Sequence, residues 1–224
     1  MLDDSRQVYK SLVQDTLNEQ IYRQIKEKLI TGEFRPGDRL VLRKLSATLG
    51  TSPVPVRDAL QKLESIGALR LERTFYVPDL TPSELAVIRD IRVALEGLSA
   101  ERAAEHANPD ALGPLSAHFN ALAKAANNND TSHFLRANAR FHLEIARLAE
   151  APILFDMIEP LWLRMGPSVR MAKAQPGRLR EAIPAHEQAL HAIAAGDGAA
   201  ARAAVVSDIV GCFGILANTD DDRG

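Results

Sequence analysis

The chain has 224 residues, 46% of them apolar, and a formal net charge of −2. This length is enough for one large core or two modest ones, and two domains is the better expectation. A single cysteine excludes a disulfide framework and a thiolate zinc cluster within one chain. The sequence shows no long apolar run and no signal-like N-terminus, which predicts a cytoplasmic protein without a membrane partner. Residues 1–77 carry 13 Lys and Arg against 10 Asp and Glu, which indicates a mildly basic N-terminal module.

Three helices are predicted in this module. The first, LNEQIYRQIKEKLI, ends at Gly32, and the second, LRKLSATLG, ends at Gly50, with a turn predicted in RPGDRL between them. The third begins after Ser52, a suitable N-cap, with Pro53 and Pro55 in the first turn, where a missing N–H costs little. Its apolar stripe is Val56, Leu60, Leu63 and Gly67.

A short β-hairpin is predicted after the third helix. The segment ALRLERTFYVPDL alternates between apolar and polar residues and is rich in residues that favour strands. Three helices followed by a small hairpin predict a winged helix-turn-helix domain over residues 1–80.

A capping box marks the predicted domain boundary. Thr81 and Glu84 have the required spacing, and Pro82 takes the first helical position. The rest of the chain shows helical patterns, so we expect a mainly α protein whose second domain, residues 81–220, is a six-helix bundle. The predicted helices cover residues 82–107, 109–127, 130–150, 152–173, 178–195 and 197–217.

The start of the third helix is the predicted DNA-reading element. In a helix-turn-helix the N-terminal residues of the second helix of the motif face base edges, and nearby N–H groups hold phosphates. Ser52 can donate a hydrogen bond there, and Arg43 and Arg57 can reach bases or backbone. The alternative is a three-helix module for protein contacts, in which these arginines are merely solvated.

A family resemblance favours DNA binding. The segment LITGEFRPGDRLVLRKLSATLGTSPVPVRDALQKLESIGAL resembles the N-terminal domain of the GntR family of bacterial transcription regulators. The resemblance implies DNA contacts at the positions of Arg43, Pro53 and Arg57, with Ser52 and Val54 beside them. Proline replaces the arginine that relatives have at position 53.

The second domain has polar residues on apolar helix faces. Asn138 and His142 are four residues apart on one stripe, and His186 and Asp208 lie on the stripes of two later helices. Buried polar groups are costly unless they satisfy one another or a ligand, so a shared polar centre is the simplest expectation. Each residue taken alone is more simply explained as a hydrogen-bonded core residue. Two imidazoles and a carboxylate together are also a familiar set of ligands for a divalent metal such as zinc.

The second domain also resembles a known family. RVALEGLSAERAA, NARFHLEIARLAE and AHEQALHAIAAGDGAAARAAVVSDIV are similar to the ligand-binding domain of the FadR-like, or FCD, branch. The resemblance implies metal ligands at Asn138, His142, His186 and Asp208, although an acid is usual at the first position and histidine at the last. A neutral amide makes Asn138 the weakest of the four.

An arginine near the same helix faces is the candidate effector clamp. Arg92 lies at the edge of the stripe Leu85, Ile88, Ile91 and Leu95, where its guanidinium can hold a carboxylate. A pair with Glu96, four residues on, is the equally plausible alternative. Arg89 is a weaker candidate, and Asn138 can contribute to the same effector pocket.

These observations predict a homodimeric transcription regulator that binds a pseudo-palindrome in double-stranded DNA and responds to a small organic acid. Residues 74–84 and the helix after them are the predicted coupling element. Two alternatives stay open at this point: a metal-dependent enzyme that uses the two-histidine, one-carboxylate site, and a DNA-binding protein whose effector pocket is vestigial.

Overall fold

A computed structural model describes residues 17–108, 111–173 and 178–218. The described residues form a mainly helical protein with one small sheet, which confirms the predicted fold class. The elements are α1 (Leu17–Ile30), β1 (Arg39–Leu40), α2 (Leu42–Thr48), α3 (Pro53–Ser65), β2 (Arg70–Leu71), β3 (Phe75–Tyr76), α4 (Pro82–His106), α5 (Leu112–Asn127), α6 (Thr131–Leu148), α7 (Pro152–Lys173), α8 (Ile183–Ala194) and α9 (Gly198–Asn218).

The sheet of the N-terminal module has one strand more than the predicted hairpin. β2 and β3 pair antiparallel as expected, but β1 pairs with the other edge of β3, so the strand order is β1-β3-β2. Arg39 lies opposite Tyr76, and Leu40 lies opposite Phe75, in the segment predicted to be only a turn. A two-residue strand is too short to show an alternating pattern, which is why the sequence did not reveal it.

The third helix starts as predicted but ends earlier. Pro53 opens α3 and Pro55 follows in the first turn, whereas Ser52 occupies the N-cap position without a capping hydrogen bond from its side chain. Gly67 is not part of the helical stripe, because α3 ends at Ser65 and Gly67 adopts a positive φ of 74°. That backbone conformation is accessible to glycine at little cost.

The six predicted helices of the bundle are α4 to α9. The capping box at the start of α4 is confirmed: the backbone N–H of Glu84 donates to Oγ1 of Thr81 at 3.2 Å, and the Thr81 N–H donates to Oε2 of Glu84 at 2.8 Å. α8 is shorter than predicted and follows a 3-10 turn, Arg180–Ala182. The predicted helix start at residue 109, the first 16 residues of the predicted first domain and the last two of the second lie outside the described residues. The division at residues 80 and 81 stays a prediction.

The two halves share a core. One apolar cluster fills the bundle, but the cluster inside the N-terminal module also includes Ile158, Trp162 and Leu163 of α7. Gly166 of α7 lies so close to α1 that a Cβ there would be 2.4 Å from the carbonyl oxygen of Leu29. α7 is therefore part of the structural support of the DNA-binding half as well as of the bundle.

Candidate functional site

The predicted DNA-reading residues lie together on the surface. Arg43 on α2 and the residues from Ser52 to Val54 at the start of α3 are exposed, and Val54 keeps 67% of its accessible area. Arg57, one turn further along α3, is also exposed. Among the described residues, neither arginine has an ion-pair partner, so both guanidinium groups are available for phosphates or base edges.

The buried face of α4 differs from the predicted stripe. Ile91 is 41% exposed, whereas Arg92 and Glu96 each keep only 2% of their accessible area. Nε of Arg92 donates to Oε1 of Glu96 at 2.5 Å, and a second guanidinium nitrogen donates to Oε2 at 3.2 Å. The pair with Glu96 is thus the partner that the structure shows for Arg92. Charged residues are rarely fully buried unless paired, which is why the pattern suggested Ile91 instead.

Residues of α7 enclose this ion pair. The Arg92 guanidinium lies 4.0 Å from the centre of the Trp162 ring, and one of its nitrogens lies 2.9 Å from Sδ of Met165. Stacking on an aromatic face is a favourable environment for a desolvated guanidinium. Arg89, the weaker effector candidate, instead pairs with its neighbour Asp90 at 2.8 Å.

His142 lies between two carboxylates. Its Nδ1 atom is 2.9 Å from Oε2 of Glu96, and its Nε2 atom is 3.2 Å from Oδ2 of Asp208. The Glu96 oxygen is close but lies off the direction of an Nδ1–H bond, so Nδ1 is a buried atom without an aligned hydrogen bond. The contact with Glu96 is therefore better described as an ion pair than as a hydrogen bond.

His186 also has oxygen neighbours at both ring nitrogens. Nδ1 lies 2.8 Å from the carbonyl oxygen of Ala182 and 3.3 Å from Oδ1 of Asp208, while Nε2 lies 2.7 Å from Oδ1 of Asn138. The structure thus brings together all four residues that were predicted to form the polar centre.

The centre has more acceptors than a neutral pair of histidines can satisfy. Each imidazole faces oxygen atoms at both nitrogens, yet a neutral imidazole carries a single N–H. Counting Arg92 as positive and Glu96 and Asp208 as negative leaves one negative charge in excess. A proton on an imidazole or a bound cation resolves both imbalances.

The charges around His142 change the pKa values of the group. Burial alone would lower the pKa of His142, but its contacts with Asp208 and Glu96 raise it above the ordinary value. Burial would raise the pKa of the Glu96 carboxyl, yet Arg92 and His142 hold it below the usual range. The centre therefore favours an ionised carboxylate next to a positive charge.

The arrangement also fits a metal ion. One potential ligand atom from each of His142, His186 and Asp208 can be chosen so that all three lie within 4.8 Å of one another. Donors about 2.1 Å from a shared ion are separated by at most about 4.2 Å, so the group needs only a small closing movement. Metal-bound histidines commonly have an oxygen acceptor at the other ring nitrogen, as both histidines do here.

Two contributors to the centre were not found from the sequence. The sequence indicated Glu96 only as a partner for Arg92 and gave no signal for Trp162, although the Trp162 ring lies 5.1 Å from that of His142. The spacing of Arg92 and Glu96 was the one available signal. Nothing in the sequence pattern places Trp162 beside His142, because that contact joins two helices that pack only in the folded protein.

Family models match both halves of the chain. Residues 17–74 match the bacterial regulatory proteins of the gntR family, and residues 87–210 match the FCD domain. The chain belongs to the GntR family and carries an FCD domain. Both resemblances noted in the sequence are thereby confirmed.

Relatives of this GntR-family regulator support the assignment over most of its length. It is 34% identical over 186 residues to the HTH-type transcriptional regulator McbR of Escherichia coli, covering 81% of this chain and 84% of McbR. It is 28% identical over 190 residues to a probable D-xylose utilization operon transcriptional repressor of Paenarthrobacter nicotinovorans, covering 84% and 83% of the two chains.

Solved structures agree with these relatives. The structure of E. coli McbR/YncC has a TM-score of 0.86 at 32% identity and covers 91% of this chain and 98% of its own. A GntR regulator from Rhodococcus sp. RHA1, at 18% identity and a TM-score of 0.75, shares the fold. These findings identify a DNA-binding transcription regulator and not an enzyme. Within the described ranges, no helix has the length and apolar character needed to cross a membrane.

Proposed function

We propose that this regulator binds a pseudo-palindromic operator as a homodimer, and that a small organic acid bound at the polar centre of the FCD domain controls DNA binding. The observation that carries the proposal is the surplus of oxygen acceptors around His142 and His186. An added positive charge resolves this surplus, and a doubly charged cation would leave the centre net positive and so able to bind an acid.

A divalent metal such as zinc is the proposed source of that charge. His142, His186 and Asp208 would hold it, with Asn138 as a weaker fourth neighbour. When bound, the ion supplies a positive centre to which a carboxylate can bind. A doubly charged ion turns the single excess negative charge of the buried groups into a single positive one, which favours an anionic effector.

The surrounding side chains limit how an effector can bind. Nε1 of Trp162 is buried without a hydrogen-bond partner among the described residues, so an acceptor atom of an effector would satisfy it. Arg92 can hold an effector carboxylate only in competition with Glu96, which already binds two of its three guanidinium nitrogens. Effector contacts at Arg92 and Arg89 therefore remain proposals, with Arg92 the stronger of the two.

α7 offers a direct path from the centre to the DNA-reading helix. Trp162 and Met165 contact Arg92, while Nε of Arg164 on the same helix donates to the carbonyl oxygen of Ile66 at 2.8 Å. Ile66 directly follows Ser65, the last residue of α3. A shift of α7 on effector binding would move the support of α3, and a coupling of about 1–3 kcal/mol is enough for a useful response. The segment 74–84 remains a second proposed coupling element.

Metal analysis of the purified full-length protein tests the centre. We expect about one equivalent of divalent metal per chain by elemental analysis, and at least about tenfold weaker binding of zinc to the chelator-treated variants His142→Ala and His186→Ala. The matched control is His191→Ala, an exposed histidine on the same helix as His186, which should bind as wild type. Equal zinc affinity in all four proteins would overturn the metal site.

Thermal shift against a panel of organic acids tests the effector. A ligand of the folded state raises the melting temperature in a concentration-dependent way, and that rise should disappear in His142→Ala but not in His191→Ala. Operator fragments selected from genomic DNA then show whether the same acid changes DNA affinity. If no acid shifts the melting temperature while DNA still binds, the effector pocket is vestigial and the effector part of the proposal is wrong.

A further inference from the structure

A cavity lies outside the polar centre, in the groove between α5 and α6. It encloses about 440 Å³, within the size range of small-molecule sites. Its polar lining comes from α5, the turn after it and α6. These lining residues are His118, Lys124, Asn128, Asp130, His133, Arg136 and Arg140.

The walls of this α5–α6 groove are strongly cationic. Lys124, Arg136 and Arg140 carry permanent positive charge, and the one carboxylate in the lining, Asp130, is already bound to the backbone N–H and ring Nδ1 of His133. Glu144 is near enough to influence His118, but both of its oxygens accept from Arg147. The described residues that line the groove therefore provide no free carboxylate for Lys124, Arg136 and Arg140.

The missing negative charge comes from the DNA-binding half. Glu27 of α1 contacts Nε of Arg136 with its Oε1 atom, and the same oxygen lies 3.7 Å from a guanidinium nitrogen of Arg140. The contact lacks hydrogen-bond alignment, since Nε of Arg136 is buried without an aligned acceptor. One carboxylate oxygen thus contacts two arginines, and within the part of the chain that the structure describes neither has the two-oxygen partner that a guanidinium favours.

We propose that the α5–α6 groove binds a small oxyanion, a di- or tricarboxylate or a phosphate, and that Arg136 and Arg140 exchange Glu27 for it. A ligand with several oxygens can give each guanidinium a bidentate partner and can also reach Lys124. Because Glu27 belongs to α1, binding at the groove removes an ionic contact between the FCD domain and the DNA-binding half. The groove is thus a second input to the regulator, separate from the histidine centre.

Calorimetric titration of the full-length protein with inorganic phosphate and with citrate, at low and constant ionic strength, tests the site. We expect binding of at least one of the two probes, and affinity about tenfold or more weaker in the double variant Arg136→Gln/Arg140→Gln. Arg147→Gln removes one positive charge from the same helix outside the groove and should bind as wild type. The stronger of the two probes distinguishes a carboxylate site from a phosphate site.

Two further variants separate this site from others. Glu27→Gln should tighten binding about threefold or more, because the arginines lose their competing carboxylate. His142→Ala removes the proposed effector centre, so probe binding that persists in this variant and is lost with Arg136 and Arg140 belongs to the groove. Should the double glutamine variant not fold, Arg136→Lys/Arg140→Lys keeps the charge but loses bidentate geometry, and should still weaken binding.

The outcomes decide between the parts of the proposal. No heat with either probe, or equal affinity in wild type and the arginine variants, overturns the site. If the arginine variants bind the probe more weakly, as expected, but Glu27→Gln binds it no more tightly than wild type, the exchange with Glu27 is wrong. The groove is then a simple anion site.

Discussion

The two halves of this regulator place their functional residues in opposite environments. In the DNA-binding half, Arg43, Val54 and Arg57 are exposed and lie within fifteen residues of one another on consecutive helices. In the FCD domain, the members of the centre, among them Glu96 and His142, are buried or nearly so and come from five helices spread over more than a hundred residues. The first arrangement is local and solvated, whereas the second exists only when the bundle has packed.

This contrast explains how the two halves are coupled. The surface of α3 needs a rigid support, and part of that support is α7, which also encloses the buried ion pair of the FCD domain. A functional surface built on a small module can be controlled from a distant centre when both rest on the same helix. The three predictions that follow test this contrast, beginning with the largest expected effect.

Breaking the buried ion pair should have the largest effect. Glu96→Gln leaves the desolvated guanidinium of Arg92 without its counter-charge, so we expect the free energy of unfolding to fall by about 3–5 kcal/mol. Urea denaturation at fixed protein concentration measures this. The control is Glu101→Gln, which breaks the exposed pair with Arg202 at 2.9 Å and should cost less than about 1 kcal/mol. Equal losses in the two variants would mean that burial adds nothing to the Arg92–Glu96 pair.

Separating α7 from α1 should have an intermediate effect. In Gly166→Ala the new methyl group meets backbone atoms of Leu29 and Ile30, so the helices must move apart, at a cost of about 1–3 kcal/mol in unfolding free energy. Gly113→Ala is the matched control, because nothing lies within 4 Å of its added Cβ and alanine favours the helix. A Gly166→Ala protein as stable as Gly113→Ala would show that the contact between the halves is loose.

Removing a DNA-reading arginine should leave stability almost unchanged and affect only binding. Arg57→Ala is expected to weaken operator binding by about 1–3 kcal/mol and to relax discrimination at one base position. Fluorescence anisotropy with the operator and with random DNA measures both changes. Arg202→Ala alters net charge equally on the FCD surface and serves as control. Unchanged affinity and unchanged discrimination in Arg57→Ala would remove Arg57 from the DNA interface.

Prediction from sequence worked best where a local pattern carries the information. The N-terminal prolines of α3, the capping box at Thr81 and Glu84, and the six helices of the bundle depend on neighbouring residues, and the structure confirms them. The strand Arg39–Leu40 was missed, and Gly67 was placed in a helix that ends before it, because each depends on what the segment packs against.

The polar centre shows both the reach and the limit of the sequence. By itself the sequence determined most of the secondary structure and the four inward polar positions, since helical periodicity and capping are local properties. It also determined the order of a GntR-type domain followed by an FCD domain. Only the tertiary structure decided that Arg92 is neutralised by Glu96, that Trp162 covers that pair and that α7 supports both halves. These outcomes depend on the angles and distances at which distant helices pack, and burial energy sets those only when the whole chain is folded.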